Sequence, residues 1–190
     1  MLRLALARSL RSFRRRSVDF AVVLADLVRF LDERGLRVAL AGAIAMHAHG
    51  LSRVTSDLDL VVEDAAKALL LPHLATLGYE CLHVSEGFSN HLHRDPRLGR
   101  VDLIYVDEPT AMLFFGQATR VRLFAGVETF VPRAEHLAAM KVQAIKDDPG
   151  RALRDLADIR YLLHLPGVDR EQIRRYFERS GLGGRYDELA

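Results

Sequence analysis

Two aspartates lie two positions apart, Asp57 and Asp59 in the stretch TSDLDLVVE, where a run of strand-forming apolar residues begins (Leu58, Leu60, Val61, Val62). Side chains alternate along a strand, so the two carboxylates share one face. Like charges that close repel, and holding them inside costs free energy unless a cation or hydrogen bonds compensate. A third carboxylate, Asp102, sits within the strand-like RVDLIYV, with Val101 and Leu103 on the opposite face. Three acids projecting from adjacent strands offer hard oxygen ligands, the type that suits Mg²⁺. Upstream, Gly42 ends the apolar stretch LRVALAG and opens a small-residue helix that runs to about His49. Backbone N–H groups at such a start face outward near the positive end of the helix, which suits a phosphate. The pattern predicts a divalent-cation site beside a phosphate-sized hollow.

These side chains need a scaffold. Residues 18–34 carry Asp19, Asp26, Arg29 and Glu33 on one helical stripe and apolar residues elsewhere, with Gly35 as a left-handed cap. The strand of residues 36–42 and the small-residue helix follow, then a strand over 58–62 and a helix over 64–77 that stops near Gly78. Strands are predicted over 80–84, 89–93 and 99–106, a helix over 109–118, and one or two short strands between 121 and 131 around Gly126. From Pro132 onward the chain reads as helices over 135–147, 151–164 and 169–180, each closed by Pro or Gly. Ile173, Tyr176 and Phe177 fall at helical spacing and dock the last of these. The implied division is a basic arm (1–17), possible disorder included, an α/β core (18–131) and a C-terminal helical part (132–190).

Within the helical part, Lys141 has Leu137, Ala138, Ala144 and Ile145 as its neighbours at three and four residues, which puts it on the apolar, inward face. An inward lysine either snorkels or meets an anion. Asp155 and Asp158 lie three apart on the next helix, where surface pairing with Arg151 and Arg154 competes with a role in the site. Asp102 taken alone also fits an edge strand facing water. His47 and His49 point to different sides of a helix and make a poor ligand pair. His91 and His93 share a strand face and could hold a transition metal, but nothing nearby supplies further ligands, so they read as solvated strand histidines.

The segment LAGAIAMHAHGLSRVTSDLDLVV, with VDLIYV after it, resembles the nucleotidyltransferase superfamily (DNA polymerase β-like), whose signature is a Gly-Gly or Gly-Ser turn, a short helix and Asp-x-Asp. The closer similarity is to the minimal AbiEii-like branch known from type IV toxin–antitoxin systems, where HGLSRVTSDLDL is followed by a helical LAAMKVQAIKDDPGRALRDLADI. The likeness covers roughly residues 36–165, and the tail DREQIRRYFERSGL fits it too. The resemblance implies an α+β (α/β) fold, a mixed sheet flanked by helices with a helical part behind it. It also implies transfer of NMP from an NTP to an acceptor hydroxyl (protein, tRNA end or small molecule) with release of pyrophosphate. Asp57, Asp59 and Asp102 would be the catalytic residues and the ligands of two Mg²⁺ ions, with Mn²⁺ as a substitute. Gly42 and Ala43 would bind the nucleotide phosphates through the backbone and Lys141 through its charge. Arg53, Thr55, Asp155 and Asp158 would be supporting residues, and a partner protein of a toxin–antitoxin pair is implied. The family's second turn residue is commonly Gly or Ser, and here it is Ala43, which lacks a hydroxyl for a phosphate. That departure favours the alternative, a non-catalytic, antitoxin-like regulatory protein on the same scaffold.

Bulk composition narrows the field further. Of the 190 residues 49% are apolar and 27% charged, as in a globular domain with a normal core. The single cysteine, Cys81, rules out an internal disulfide and a multi-cysteine zinc site and makes a cytoplasmic protein the default. No apolar run approaches the length that spans a bilayer, so no membrane partner is expected. Residues 1–16 hold six of the 27 cationic residues and no acid, which leaves 21 cationic against 25 acidic residues in the remaining 174. The arm reads as an organellar presequence, a nucleic-acid contact or a loosely ordered N-terminus. The rest of the chain does not read as a nucleic-acid binder from its charge.

Overall fold

In a computed structural model, which describes residues 19–123 and 126–189, the chain forms a seven-stranded mixed sheet with helices on both faces. The basic arm lies outside the described residues. Asp19 caps the first helix, α1 (Phe20–Asp32), by accepting from the Val22 N–H. Then come β1 (Val38–Leu40), α2 (Gly42–Ala48), β2 (Asp57–Glu63), α3 (Lys67–Thr76), β3 (Tyr79–Val84), β4 (Phe88–His93) and β5 (Arg100–Val106). The second half runs α4 (Glu108–Gly116), β6 (Thr119–Leu123), β7 (Val127–Val131), α5 (Ala134–Asp147), α6 (Ala152–Leu163), α7 (Arg170–Arg179) and a short α8 (Gly183–Asp187).

The strands are ordered β3-β4-β5-β2-β1-β7-β6, with β2/β5 and β1/β7 parallel and the other pairs antiparallel. Alternation along β2 separates its two faces. Leu58, Leu60 and Val62 enter the main core with Val101, Leu103, α1 and α3, while Val61 packs with Ala111, Phe114 and Phe115 of α4 in a second, smaller cluster. Asp57 and Asp59 share the Val61 side. The main core continues into the helical part through Leu137, Val142, Ile159, Leu162, Ile173 and Phe177, so helices α5–α7 dock on the sheet through the same apolar mass. Ile173 and Phe177 are fully buried, as their helical spacing predicts.

Most predicted elements appear within a few residues of their expected bounds. Asp102 differs from its water-facing alternative: β5 lies between β4 and β2, well inside the sheet, and Asp102 is buried. The short helix α8 is absent from the sequence reading, because the two glycines that open it argue against a helix. Among the described residues no helix is long and apolar enough to cross a membrane.

Candidate active site

The turn after β1 brings backbone against carboxylate. The Ala41 N–H donates to the Asp59 carbonyl at 2.8 Å, which ties the end of β1 to β2. Gly42 follows with φ +52°, a conformation that L side chains rarely adopt, and α2 starts there. A Cβ at Gly42 would sit 1.9 Å from Asp59 Oδ2, so this position has no room for any side chain. Position 42 is thus glycine for two separate reasons, its backbone conformation and the approach of the acid.

The parallel β2/β5 pairing sets Asp59 directly opposite Asp102, and Asp57 opposite Arg100. Thr55 shapes the entry to β2: its hydroxyl donates to the Asp57 carbonyl and accepts from the Asp57 N–H, at 3.1 and 3.2 Å. Asp57 Oδ1 accepts from the Ser56 hydroxyl at 2.8 Å. Asp102 Oδ1 accepts from both Asn90 Nδ2 (2.8 Å) and Arg100 Nε (2.7 Å). Asp59 differs from both. Its carboxylate accepts no hydrogen bond among the described residues, and burial, then Asp102, then Asp57 push its pKa up to about 6 against the opposing pull of Arg151 and Lys141.

Over Asp59 and Asp102 lies a cavity of about 590 Å³ between the sheet and α5. Ala41 and Gly42 line one side, Ser85, Gly87, Phe88 and Ile104 another, and α5 with Arg151 forms the roof. The volume is that of a small-molecule pocket. Ala43 does not line it, since its side chain is 3% exposed and packs into the interior behind the turn.

Lys141 does face inward and reaches the cavity, at 7% exposure. Its Nζ donates to Asp155 Oδ1 at 3.0 Å and to Asp158 Oδ2 at 2.5 Å, so the anion it meets belongs to α6. Asp155 and Asp158 are 0% and 4% exposed, which corrects the surface location of the ion-pairing alternative, although Asp155 does pair with Arg151. The three-residue spacing aims both at α5, with Arg151 closing on Asp155 at 3.1 Å and Arg53 on Asp158 at 3.3 Å. Arg53 thereby joins the loop that leads into Asp57 to the helical part.

The histidines are also corrected. His91 is buried and hydrogen-bonded to Ser89 Oγ at 2.9 Å, and burial lowers its pKa. His93 is partly buried and bonds the Leu77 carbonyl at 3.0 Å. Neither is a solvated strand residue, because Ser89, His91 and His93 take the face of β4 that meets Tyr105 and Tyr79. Among the described residues no three His, Cys, Asp or Glu side chains converge closely enough to hold a metal as they stand. The donor set nevertheless fits a hard divalent cation: Asp59 carries unpartnered oxygens, and two further carboxylates raise its pKa. Asp57, Asp59 and Asp102 are the residues that would hold such an ion.

The sequence reading missed Asn90, Arg100 and Arg151. Arg100 was within reach, since alternation puts it on the face of Asp102, two residues away. Asn90 depends on the β4/β5 register, and only the fold supplies that.

No family model and no curated relative matches the sequence. Solved structures do. The antibiotic-resistance factor ANT(2'')-Ia superposes with a TM-score of 0.62 at 14% identity, over 89% of this chain and 94% of its own. An antigenic nucleotidyltransferase-like protein from Paracoccidioides brasiliensis gives 0.53 at 20% identity, over 88% and 91%. The lincosamide antibiotic adenylyltransferase LnuA gives 0.50 at 11%, over 78% and 98%. The chain thus has a nucleotidyltransferase-like fold.

Proposed function

We propose that this protein transfers a nucleoside monophosphate from an NTP to an acceptor hydroxyl and releases pyrophosphate. One observation carries the reading. Asp59 and Asp102 stand in register at the floor of the cavity, and Asp59 crowds so closely against Gly42 that position 42 excludes every side chain. Such crowding of acids beside an open backbone turn is costly without a ligand.

The acceptor oxygen attacks the α-phosphorus, the bond from that phosphorus to the α,β-bridging oxygen breaks, and pyrophosphate departs with its electrons. Asp102, positioned by the Asn90 amide, takes up the hydroxyl proton. Gly42 lets the chain approach the phosphates closely with backbone N–H groups. Arg151, the cavity-lining cation with a half-exposed side chain, offers its guanidinium to phosphate oxygens. Lys141 is committed to Asp155 and Asp158, and contributes its positive field rather than a free ammonium. Mg²⁺ or Mn²⁺ bound at Asp57, Asp59 and Asp102, as one ion or as the two that the family resemblance implies, would neutralise charge at the attacking and leaving oxygens.

The structures that this chain is similar to include ANT(2'')-Ia in complex with adenylyl-2''-tobramycin, which supports a small-molecule acceptor. The AbiEii-like resemblance supports a protein or tRNA acceptor and a toxin–antitoxin partner. Incubation with each α-labelled NTP and Mg²⁺, in separate arms with hydroxylated antibiotics, total tRNA and whole-cell protein, decides among them. Label transfer that is lost in Asp59→Asn supports the reading. Absence of transfer in every arm, with nucleotide binding intact, favours the regulatory alternative.

A further inference from the structure

One cation stands among the three acids. Arg100 lies opposite Asp57 across the β2/β5 pair and two residues before Asp102, so its side chain shares the face of the site. Its Nε and the amide of Asn90 both donate to the same oxygen, Asp102 Oδ1. A carboxylate oxygen offers about two lone-pair positions, so Oδ1 is filled and Oδ2 alone is left to bind. The guanidinium keeps its charge at every physiological pH. It is 38% exposed, so it can also turn outward.

We propose that Arg100 is a resident counter-cation that competes with the divalent ion for Asp102, so that the nucleotide-free protein holds metal weakly and metal enters together with NTP. The inference rests on the metal-site reading of the three carboxylates. An arriving cation must share Asp102 with a fixed guanidinium and is repelled by it, and at such short range this weakens binding by about tenfold or more. An NTP reverses the balance. Its phosphates attract the metal, and the planar guanidinium fork matches phosphate oxygens once it leaves Asp102. Metal and nucleotide then raise each other's affinity, as linkage requires.

The test is Mn²⁺ titration followed by electron paramagnetic resonance, with and without non-hydrolysable analogues of each NTP. The natural protein is compared with Arg100→Met, Arg100→Gln and Arg100→Lys, and circular dichroism confirms folding of each. Arg100→Gln keeps an N–H donor for Asp102 without the charge, and replaces Arg100→Met where the latter fails to fold. Without nucleotide, the two neutral variants should bind Mn²⁺ about tenfold or more tighter than the natural protein, with Arg100→Lys close to it. With nucleotide the gap should shrink to about threefold or less. Equal or weaker Mn²⁺ binding in the neutral variants makes Arg100 a simple prop for Asp102 and overturns the proposal while the metal site stands. Absence of Mn²⁺ binding in all proteins, nucleotide present, overturns both.

Discussion

Two groups of charges meet at the cavity and are treated in opposite ways. On the helical side, Lys141 is enclosed by Asp155 and Asp158, and Arg151 and Arg53 complete the set, so each buried carboxylate has at least two cationic partners. On the sheet side, Asp59 and Asp102 face the cavity and Asp57 shares their strand face; Asp102 alone of the three is ion-paired, with Arg100, and Asp59 has no hydrogen-bond donor among the described residues. The first group is closed and fixes how α5 and α6 pack. The second is open. On the proposed function the same residue types would serve docking in one place and chemistry in the other, and pairing distinguishes the two.

The comparison can be broken most severely at Lys141. Lys141→Met should destabilise the fold by about 3–5 kcal/mol in urea denaturation, because it leaves two buried acids short of a cation. A neutral result would show that the network carries no structural weight. Next is Gly42→Ala, which forces a side chain into a positive-φ position and against Asp59. It should cost about 2–3 kcal/mol and abolish nucleotide binding by calorimetry.

Asp59→Asn should have the opposite sign. The folded pKa, about 6, lies above the ordinary value of 3.8, so ionised Asp59 opposes folding above pH 6. In metal-free buffer the variant should therefore gain about 1–2 kcal/mol at pH 7.5. That gain should fade as pH falls through 6 and vanish below 3.8, where Asp59 is protonated in both states. Melting curves at these pH values check the sign, and a loss of stability at pH 7.5 would mean that Asp59 is compensated after all. The smallest effect is expected at Arg53, whose partly buried guanidinium meets Asp158 at 3.3 Å, a pair that Lys141 also holds. Arg53→Gln should cost about 1 kcal/mol or less by thermal melting.

Glycines and alternation made most of this fold legible in advance. Gly35, Gly78 and Gly181 mark element ends through positive φ, and the Asp-x-Asp of β2 could have both acids on one face only. The burial of Lys141 followed from its apolar neighbours on α5. Its partners were less accessible: Asp155 and Asp158 beside Arg151 and Arg154 look like any solvated helix face until α5 is laid over them. Asn90 and His91 were hidden for a related reason. An alternating polar strand such as SNHLH can turn either face inward, and the choice is made by β5 and α3, distant in sequence.

On the proposed function the open carboxylates receive a metal-bound nucleotide. Calorimetric titration of the natural protein and Asp59→Asn with α,β-methylene NTPs and Mg²⁺ tests it most directly, since the analogue resists cleavage at the bond that would break. The natural protein should bind saturably and only with Mg²⁺, and affinity should fall by about tenfold or more in Asp59→Asn. Equal affinity in the two proteins, or binding indifferent to Mg²⁺, would contradict this reading.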